Sequence, residues 1–342
     1  MKKGCAHVRG LYTFPAGSGT QFTDGCNAIW DSGLRVLKIY LTKDYLADYP
    51  LQTSWSGVAT NLTELASLSQ YQAQLSREWE VVVLTTFTFA NGTTNWWRVD
   101  TSNAKLQAEY TEIYNLVTYL MTTYAGTNRT FVLQNWEGDW AFMDSFNPAT
   151  PVPSEYVDRY AAFLAVRQKA VSDARRASTA VGVTVLNAIE VNRVLDSEVN
   201  YRRIVNDIAP RVRPDLASYS AYDSTIVEAG WGTDTADWIA KTEPLFRKAL
   251  AKIRSVWPGV PVFIGEFGFP ENEATNEHPG NSVYNMTRKI LEICEDEGVL
   301  YCIYWQVFDN EASVPYSYRG YWFVKPDGTA TEAAGAMTIG SP

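Results

Sequence analysis

Two glutamates in this sequence stand where hydrophobic, strand-like runs give way to glycine, tryptophan and polar residues. Glu137 lies in the segment FVLQNWEGDW at residues 131–140, and Glu266 lies in PVFIGEFG at residues 261–268. Burying a carboxylate is costly unless a charge or hydrogen bonds compensate it, so acidic residues at apolar strand ends need a chemical reason. A pair of carboxyl groups that cleaves a glycosidic bond would supply one.

Cleavage of a glycosidic bond requires the two carboxyl groups in different protonation states. One group donates a proton to the leaving oxygen, while the other is ionised and attacks the anomeric carbon. In an enzyme that retains the anomeric configuration the groups stand about 5 to 5.5 Å apart, and the first later acts as a base toward water. We expect the proton on Glu137, because the neighbouring Trp136 and Trp140 make its surroundings hydrophobic. The pair therefore predicts retention.

Eight short β-rich runs alternate with longer amphipathic stretches along the chain. The predicted strands cover residues 7–14, 34–41, 81–89, 130–136, 182–189, 216–222, 260–267 and 299–307. The predicted helices cover residues 27–32, 59–77, 103–124, 154–179, 201–209, 235–256, 281–297 and 331–337. In the helix at 103–124, apolar residues recur at steps of three and four, which places them on one face.

Eight strand-then-helix units without a linker or a shift in composition predict an α/β fold, a (β/α)8 TIM barrel that forms a single domain over residues 1–342. A doubly wound open sheet is the alternative. In a barrel the active site lies at the carboxyl ends of the strands. Glu137 and Glu266 end the fourth and seventh predicted strands, so the fold would bring them to one mouth.

Composition restricts the partners of the protein. The chain has 342 residues, of which 46% are hydrophobic and 20% charged, enough for a full core. A formal net charge of −9 argues against nucleic acid as a partner. No apolar run approaches the roughly 20 residues that span a bilayer, and no signal-type apolar core follows the first three residues. We predict a carbohydrate partner, without nucleic acid or membrane, and leave oligomeric state and localisation open.

Metal and cofactor sites are not predicted. The four cysteines, at positions 5, 26, 294 and 302, show no paired metal spacing, and a disulfide is possible without being indicated. His7 and His278 are far apart in the sequence and form no metal-binding helix pair. Cleavage by paired carboxyl groups needs neither a metal nor a cofactor.

Several motifs resemble those of the large clan of retaining glycoside hydrolases with (β/α)8 barrels, which includes cellulases, mannanases, β-galactosidases and β-xylosidases. The segment IGEFG at residues 264–268 is similar to the clan's nucleophile strand. Tyr304-Trp305 is similar to its strand-eight segment, whose Trp forms the floor of the sugar subsite beside the scissile bond. Tyr222 resembles an aromatic residue that hydrogen-bonds the nucleophile. The resemblance covers most of the chain and implies Glu137 as acid/base and Glu266 as nucleophile.

Two positions depart from the clan's pattern. The clan usually has Asn directly before the acid/base Glu, whereas Trp136 here separates Asn135 from Glu137. An Arg is common near the end of strand two, where this chain has Lys38, with Arg35 or Arg9 as further possibilities. The resemblance implies that Lys38 supports the nucleophile and that Asn135 pairs with a sugar hydroxyl, although Asn135 could equally form a turn.

Aromatic residues cluster on the predicted loops at the carboxyl ends of the strands. Rings exposed there would stack on the faces of pyranose sugars. The candidates for sugar binding are Trp96, Trp97, Trp136, Trp140, Trp231 and Trp305, with Trp305 expected to form the floor.

Other interpretations of the two glutamates stay open. Glu137 could be a loop residue in a surface salt bridge, with Asp139 as the acid, and Glu266 could be a structural carboxylate in the barrel mouth. The leading hypothesis is a retaining glycoside hydrolase that cleaves β-linked oligo- or polysaccharides through a covalent glycosyl-enzyme intermediate. The alternatives are a transglycosidase with the same two glutamates and a non-catalytic carbohydrate-binding barrel.

Overall fold

Eight parallel strands close into a barrel in the order in which they occur along the chain. The computed structural model describes residues 1–92, 95–198, 201–272, 277–314 and 317–338. The strands are β1 (Lys2–His7), β2 (Val36–Thr42), β3 (Val81–Phe87), β4 (Arg129–Gln134), β5 (Val183–Val191), β6 (Leu216–Ser220), β7 (Val262–Phe267) and β8 (Tyr301–Tyr304). Pairing of β1 with β8 closes the barrel, which confirms the predicted (β/α)8 fold. A short antiparallel pair, β9 (Ala312–Val314) and β10 (Ser317–Tyr318), follows β8.

Helices surround the barrel. They are α1 (Gln21–Asp31), α2 (Tyr45–Asp48), α3 (Leu62–Ser67), α4 (Ser69–Ser76), α5 (Asn103–Thr123), α6 (Gly138–Met143), α7 (Ser154–Ala177), α8 (Thr235–Val256), α9 (Val283–Asp296) and α10 (Glu332–Thr338). Short 3-10 helices cover Trp96–Arg98 and Leu195–Glu198, and π-helical turns cover Ile204–Ile208 and Asp223–Val227. The predicted helix at 235–256 is confirmed at both ends, and Asp234 caps it by accepting a hydrogen bond from the Asp237 N–H.

The barrel interior has an apolar part and a polar part. Successive strand residues point to opposite faces, so alternate positions line the inside. Small and branched apolar side chains fill much of the interior, among them Val36, Val83, Val132, Ala188 and Leu216. Two residues further along the same strands, toward the carboxyl ends, the inward positions are polar. We call this set the polar layer; its members are Lys38, Thr85, Gln134, Glu190 and Ser218.

The predicted first strand, residues 7–14, is wrong. The strand is Lys2–His7, and its partner positions run from Gly4 opposite Val36 to His7 opposite Ile39. Two lysines begin this strand because they lie at the amino-terminal rim of the barrel, where Lys2 forms an ion pair with Glu80 on the surface. The apolar residues at 11 and 14 belong instead to a loop, and both are more than a third exposed.

Two predicted helices also differ from the structure. The stretch at 59–77 is broken at Leu68, whose ψ of 139° separates α3 from α4. The predicted helix at 201–209 is only the π-helical turn Ile204–Ile208, so β5 is followed by short turns and not by a long helix. All four cysteines are buried thiols, and the sulfurs of Cys294 and Cys302 lie 3.9 Å apart. Across the described residues, we find no helix with the length and apolarity of a membrane span.

A buried ion pair joins two of the outer helices to the barrel. Arg167 on α7 lies 3.0 Å from the Glu109 carboxylate on α5, and both side chains are almost fully buried. The Arg167 guanidinium also donates to the Thr86 carbonyl oxygen at 3.0 Å, which connects α7 to β3. Removing one partner of such a pair leaves an uncompensated buried charge.

We therefore predict that Arg167→Met lowers the free energy of unfolding by about 3 to 5 kcal/mol. Urea denaturation followed by circular dichroism measures the change. Lys169→Met is the matched control on the same helix, because the Lys169 side chain is 65% exposed and its ion pair with Asp173 contributes little. Equal losses in the two variants would contradict the assignment of a structural role to the buried pair.

Candidate active site

A cleft made of two chambers opens at the carboxyl ends of the strands. The carboxylate chamber, of about 530 Å³, is lined by Glu137, Glu266 and Tyr222 among others. The aromatic chamber, of about 380 Å³, is lined by Tyr40 and Phe87 among others, and these two residues do not line the carboxylate chamber. The two chambers share lining residues, which are Arg9, Trp136, Trp140, Phe146, Trp305 and Asn310. One continuous cleft therefore contains both glutamates and several aromatic rings.

A register shift in β7 places Glu266 in the barrel mouth. Tyr219 on β6 pairs with Ile264, but the next residue, Ser220, pairs with Glu266, so β7 has one extra residue, Gly265, at this point. An extra residue of this kind bends a strand and redirects the side chain that follows it. The Glu266 side chain, only 3% exposed, accepts a hydrogen bond from Lys38 Nζ at 2.7 Å.

Glu137 reaches the same chamber from β4 by a different route. The strand ends at Gln134, and Glu137 stands immediately before the short helix α6. Its carboxyl Oε1 accepts a hydrogen bond from the Ser220 hydroxyl at 2.8 Å. Among the described residues no cation bonds directly to Glu137, in contrast to the Lys38 ammonium on Glu266. The two carboxyl groups thus share a chamber but have different partners.

A third glutamate, Glu190, lies at the centre of the polar layer, and the sequence analysis missed it. It is fully buried near the end of β5, where one carboxyl oxygen lies 3.1 Å from Lys38 Nζ and the other accepts the backbone N–H of Glu137 at 2.7 Å. The predicted strand ends at residue 189, one residue before Glu190. Continuing the alternation through 186 and 188 would have placed Glu190 on the inward face.

Asn135 does not face the cleft as a sugar-binding residue would. Its amide oxygen accepts the backbone N–H of Glu190 at 3.1 Å, and its amide nitrogen donates to the Glu190 carbonyl oxygen at 3.3 Å. The side chain is 2% exposed and both of its polar atoms are used on the neighbouring strand. The structure therefore gives Asn135 a bracing position between β4 and β5.

Of the three basic residues considered for the nucleophile, Lys38 is the one that contacts Glu266. Arg9 binds Asp48 at 2.8 Å, although it also lines the cleft. Arg35 packs on the Trp30 ring, 3.7 Å from its centroid, and is remote from the glutamates. Asp139, the alternative acid, is fully buried and accepts the backbone N–H groups of Asn192, Arg193 and Ile204.

The aromatic candidates separate into two groups. Trp136, Trp140 and Trp305 line both chambers, and Tyr222 lines the carboxylate chamber. The Tyr222 hydroxyl has no hydrogen-bond partner among the described residues, so the implied bond to the nucleophile is not made in this conformation.

Three tryptophans do not line either chamber. Trp96 and Trp97 are almost fully buried, and their rings pack against Phe163 and Tyr160 on α7. A ring enclosed in this way cannot stack on a sugar. Trp231 packs against His278, with ring centroids 5.1 Å apart, and does not line either chamber. Helix α7 encloses Trp96 and Trp97, whereas Trp231 is half-buried at a place that does not line the cleft.

Electrostatics distinguish the two glutamates of the cleft. Burial raises the pKa of Glu137 well above the ordinary value for a glutamate, and the nearby carboxylates of Glu266 and Glu190 raise it further. Burial also raises the pKa of Glu266, to about 7, against the opposing effect of the Lys38 ammonium. Burial alone would lower the pKa of Lys38, but Glu190 and Glu266 raise it above its usual value. The Lys38 ammonium therefore favours the charged form of Glu266, and among the described residues no cation bonds directly to Glu137.

No protein-family model and no curated protein sequence matches the chain. Solved structures do match it in fold. A subfamily 18 member of glycoside hydrolase family 5 from Bifidobacterium longum subsp. longum, in complex with Manβ1-4GlcNAc, superposes with a TM-score of 0.64 at 13% identity, covering 99% of this chain and 77% of that one. A family 5 xyloglucanase from Paenibacillus pabuli gives 0.59 at 13% identity, covering 100% and 99%.

A family 5 lichenase from Caldicellulosiruptor sp., a Glu-to-Gln variant in complex with cellotetraose, gives a TM-score of 0.57 at 12% identity, covering 93% of this chain and 83% of that one. At such identities the similarity establishes the fold. It confirms that the chain resembles the barrels of the glycoside hydrolase clan over its whole length.

The raised pKa of Glu266 predicts a pH-dependent cost to stability. A carboxyl group with a pKa near 7 when folded and about 4.3 when unfolded binds its proton more tightly in the folded state. The contribution of the Glu266 carboxyl group to the free energy of unfolding is therefore fully present below about pH 4, and it is lost as the pH rises toward 7. Glu266→Gln removes this dependence, so the stability of the variant relative to the wild type should rise by about 1 to 3 kcal/mol between pH 4.5 and 8.

Urea denaturation of both proteins at the two pH values measures that change. Glu64→Gln is the control, because Glu64 lies on the surface and its pKa is lowered by hydrogen bonds from Thr60. In the control the relative stability should not rise with pH. A pH-independent difference between Glu266→Gln and the wild type would show that the carboxyl group has an ordinary pKa.

Proposed function

We propose that the protein is a retaining glycoside hydrolase that cleaves β-glycosidic bonds of an oligo- or polysaccharide, with Glu137 as acid/base and Glu266 as nucleophile. The observation that carries the proposal is the unequal environment of two buried carboxyl groups in one chamber. Glu266 is bound by the Lys38 ammonium, whereas Glu137 is bound by the Ser220 hydroxyl. Burial and the neighbouring carboxylates favour the protonated form of Glu137, whereas the Lys38 ammonium favours the ionised form of Glu266, as the double displacement requires.

In the proposed first step Glu137 gives its proton to the glycosidic oxygen while a Glu266 oxygen forms a bond to the anomeric carbon. The bond between that carbon and the leaving oxygen breaks, and the leaving sugar departs as an alcohol. In the second step Glu137, now ionised, takes a proton from water, whose oxygen displaces Glu266 from the anomeric carbon. Two inversions restore the original configuration. The Lys38 ammonium stabilises Glu266 whenever it is a free carboxylate.

Two further observations support a β-linked carbohydrate as the substrate. Trp136, Trp140 and Trp305 present rings to both chambers, and such rings suit the apolar faces of pyranoses. The structural neighbours bound to Manβ1-4GlcNAc and to cellotetraose have β-linked ligands in barrels of the same fold. Because the aromatic chamber adjoins the carboxylate chamber, we infer that sugar units beyond the cleaved bond occupy it.

Substitution of either glutamate tests the catalytic roles. Glu266→Gln should abolish measurable hydrolysis of every β-glycoside that the wild type cleaves, because the covalent step is lost. Glu137→Gln should lower kcat about 10²- to 10⁴-fold on an oligosaccharide, whose leaving group needs a proton. The loss should be much smaller on a dinitrophenyl β-glycoside, whose leaving group needs none.

The measurement begins with a panel of aryl β-glycosides together with Manβ1-4GlcNAc and cellotetraose, followed by proton NMR of the first anomer released. Glu112→Gln is the control, since Glu112 is buried outside the cleft and accepts backbone N–H groups of residues 62, 89 and 90. Release of the inverted anomer would contradict the proposed mechanism. Glycan binding by calorimetry without turnover would favour a binding barrel, and transfer to an added sugar acceptor in preference to water would indicate a transglycosidase.

Removal of a cleft ring tests the carbohydrate site. Trp140→Ala should raise KM about tenfold or more, because a stacked ring contributes about 1.5 kcal/mol of apolar contact. Steady-state kinetics on the best oligosaccharide of the panel measure the change. Trp231→Ala is the matched control, a half-buried ring outside the cleft, and should leave KM unchanged. A similar rise in KM for both variants would contradict the assignment of the sugar site.

A further inference from the structure

We propose that Glu190 is a positioning residue that fixes both proposed catalytic glutamates at once, by holding the backbone of Glu137 with one carboxyl oxygen and Lys38 with the other. The inference rests on the proposed function for its catalytic consequence, but its structural core is independent of any activity. Glu190 does not lie on β4, which leads to Glu137, or on β7, which carries Glu266. It lies on β5, between β4 and the two strands β6 and β7.

Four hydrogen bonds to Glu190 come from three strands, β2, β4 with the residues that follow it, and β6. Its Oε1 atom accepts from Lys38 Nζ at 3.1 Å, from Gln134 Nε2 at 3.1 Å and from the Ser218 hydroxyl at 3.0 Å. Its Oε2 atom accepts from the Glu137 N–H at 2.7 Å. Glu190 is closed to solvent and accepts hydrogen bonds from four donors. An ionised carboxylate, which can only accept hydrogen bonds, suits these surroundings. Glu190 thus cannot serve as the proton donor of the cleft.

Two glycines next to the catalytic glutamates make room for Glu190. A Cβ atom at Gly265, the residue before Glu266, would lie 2.5 Å from Glu190 Oε1 and closer still to the Ser218 hydroxyl. A Cβ atom at Gly138, the residue after Glu137, would lie 2.5 Å from the Glu190 carbonyl oxygen. Side chains at either position would collide with Glu190 or with its strand. Both glutamate segments are therefore built to approach this one residue.

Asn135 completes the arrangement by fixing the backbone of Glu190. Its amide group bonds both the N–H and the carbonyl oxygen of Glu190, as described above. Because Asn135 precedes Glu137 by two residues, the end of β4 is bound to Glu190 twice. One bond set joins Asn135 to the Glu190 backbone, and the other joins the Glu137 N–H to the Glu190 side chain. The residue inserted at Trp136 is accommodated between these two points.

Charged groups face Glu190 from three parts of the barrel. Lys38 faces it from β2, Glu137 from the end of β4 and Glu266 from β7. The hydroxyls of Tyr40 and Tyr160 are close enough for Glu190 to raise their pKa values as well. Its charge also raises the pKa of both Glu137 and Glu266. Neutralising Glu190 therefore removes one negative neighbour from each proposed catalytic group and leaves Glu266 as the carboxylate bonded to Lys38, which also donates to the Gly265 carbonyl oxygen.

The test is a titration that does not require activity. Carbon-13 NMR of the glutamate carboxyl carbons follows the wild type and Glu190→Gln, with Glu137 and Glu266 assigned from their own Gln variants. We expect both titration midpoints to move to lower pH in Glu190→Gln by about 1 pH unit or more, because the variant removes a nearby like charge that raises the pKa of each carboxyl group. Glu112→Gln is the control and should leave both midpoints in place. Unchanged midpoints in Glu190→Gln would overturn the proposal.

A second variant separates position from charge. Glu190→Asp keeps the charge but is one methylene shorter, so it cannot reach Lys38 and the Glu137 N–H together. Both midpoints should stay near the wild-type values, while hydrogen exchange of the Glu137 amide becomes at least about tenfold faster as its bond is lost. Wild-type exchange at Glu137 in this variant would contradict the positioning role, also in the case that Glu190→Gln does not fold.

Kinetics then separate this inference from the proposed function. If the wild type hydrolyses a glycoside, both limbs of the pH profile of kcat/KM should move to lower pH in Glu190→Gln and stay in place in Glu190→Asp, with kcat reduced in both. Shifted midpoints in a protein that cleaves no glycoside would uphold the role of Glu190 and reject the hydrolase. If the wild type hydrolyses a glycoside but Glu190→Gln leaves the pH profile and the midpoints unchanged, the hydrolase is upheld and the role of Glu190 is rejected.

Discussion

The structure of the cleft depends on one ammonium group shared by buried carboxylates. Lys38 lies in the interior of the barrel, within 3.1 Å of Glu190 and 2.7 Å of Glu266, and neither its own charge nor theirs could be buried alone. A third carboxyl group, that of Glu137, lies near the other two without a cation of its own among the described residues. Three acids beside one base cannot all be ionised at low cost. The arrangement therefore selects which of them keeps its proton.

This electrostatic constraint explains why the backbone is irregular where it is. Glu266 reaches Lys38 because β7 carries an extra residue beside Ser220, and Glu137 reaches the chamber because β4 ends three residues before it. A regular strand would place alternate side chains inward and could not direct both Gly265 and Glu266 toward the polar layer. Regular strand pairing stabilises the amino-terminal part of the barrel. The backbone is irregular at the carboxyl ends of β4 and β7, where the charged side chains come together.

The sequence predicts the fold well because the barrel repeats a local pattern. Runs of β-branched residues and helices with a 3.6-residue period are visible without any tertiary knowledge, and the helix at 235–256 is found to the residue. The first strand is missed because Lys2 and Lys3 resemble a solvated tail, and only closure of the barrel shows that they begin a strand. The local sequence pattern therefore predicts most strands and helices, but it does not predict which residues lie at the rim of the barrel.

The site is less predictable, because its assignments depend on contacts between distant parts of the chain. Glu137 and Glu266 are recognisable at apolar strand ends, but Asn135 is bound to β5 and Trp97 is enclosed by α7, neither of which has a local signal. Glu190 was missed because a charged residue usually ends a strand. Its partners Lys38 and Ser218 lie 152 and 28 residues away in the chain. Only the closed barrel brings them together.

The two glycines beside Glu137 and Glu266 have a further consequence for how this cleft could change. Gly138 and Gly265 flank Glu190 so closely that enlarging either would push on β5, whereas shortening Glu190 alone would leave an empty, charged hollow between them. A larger residue at either glycine would therefore require an accompanying change in the residues that it meets. The cleft is therefore expected to vary more readily at its exposed aromatic residues, such as Phe146, which is 74% exposed and lines both chambers.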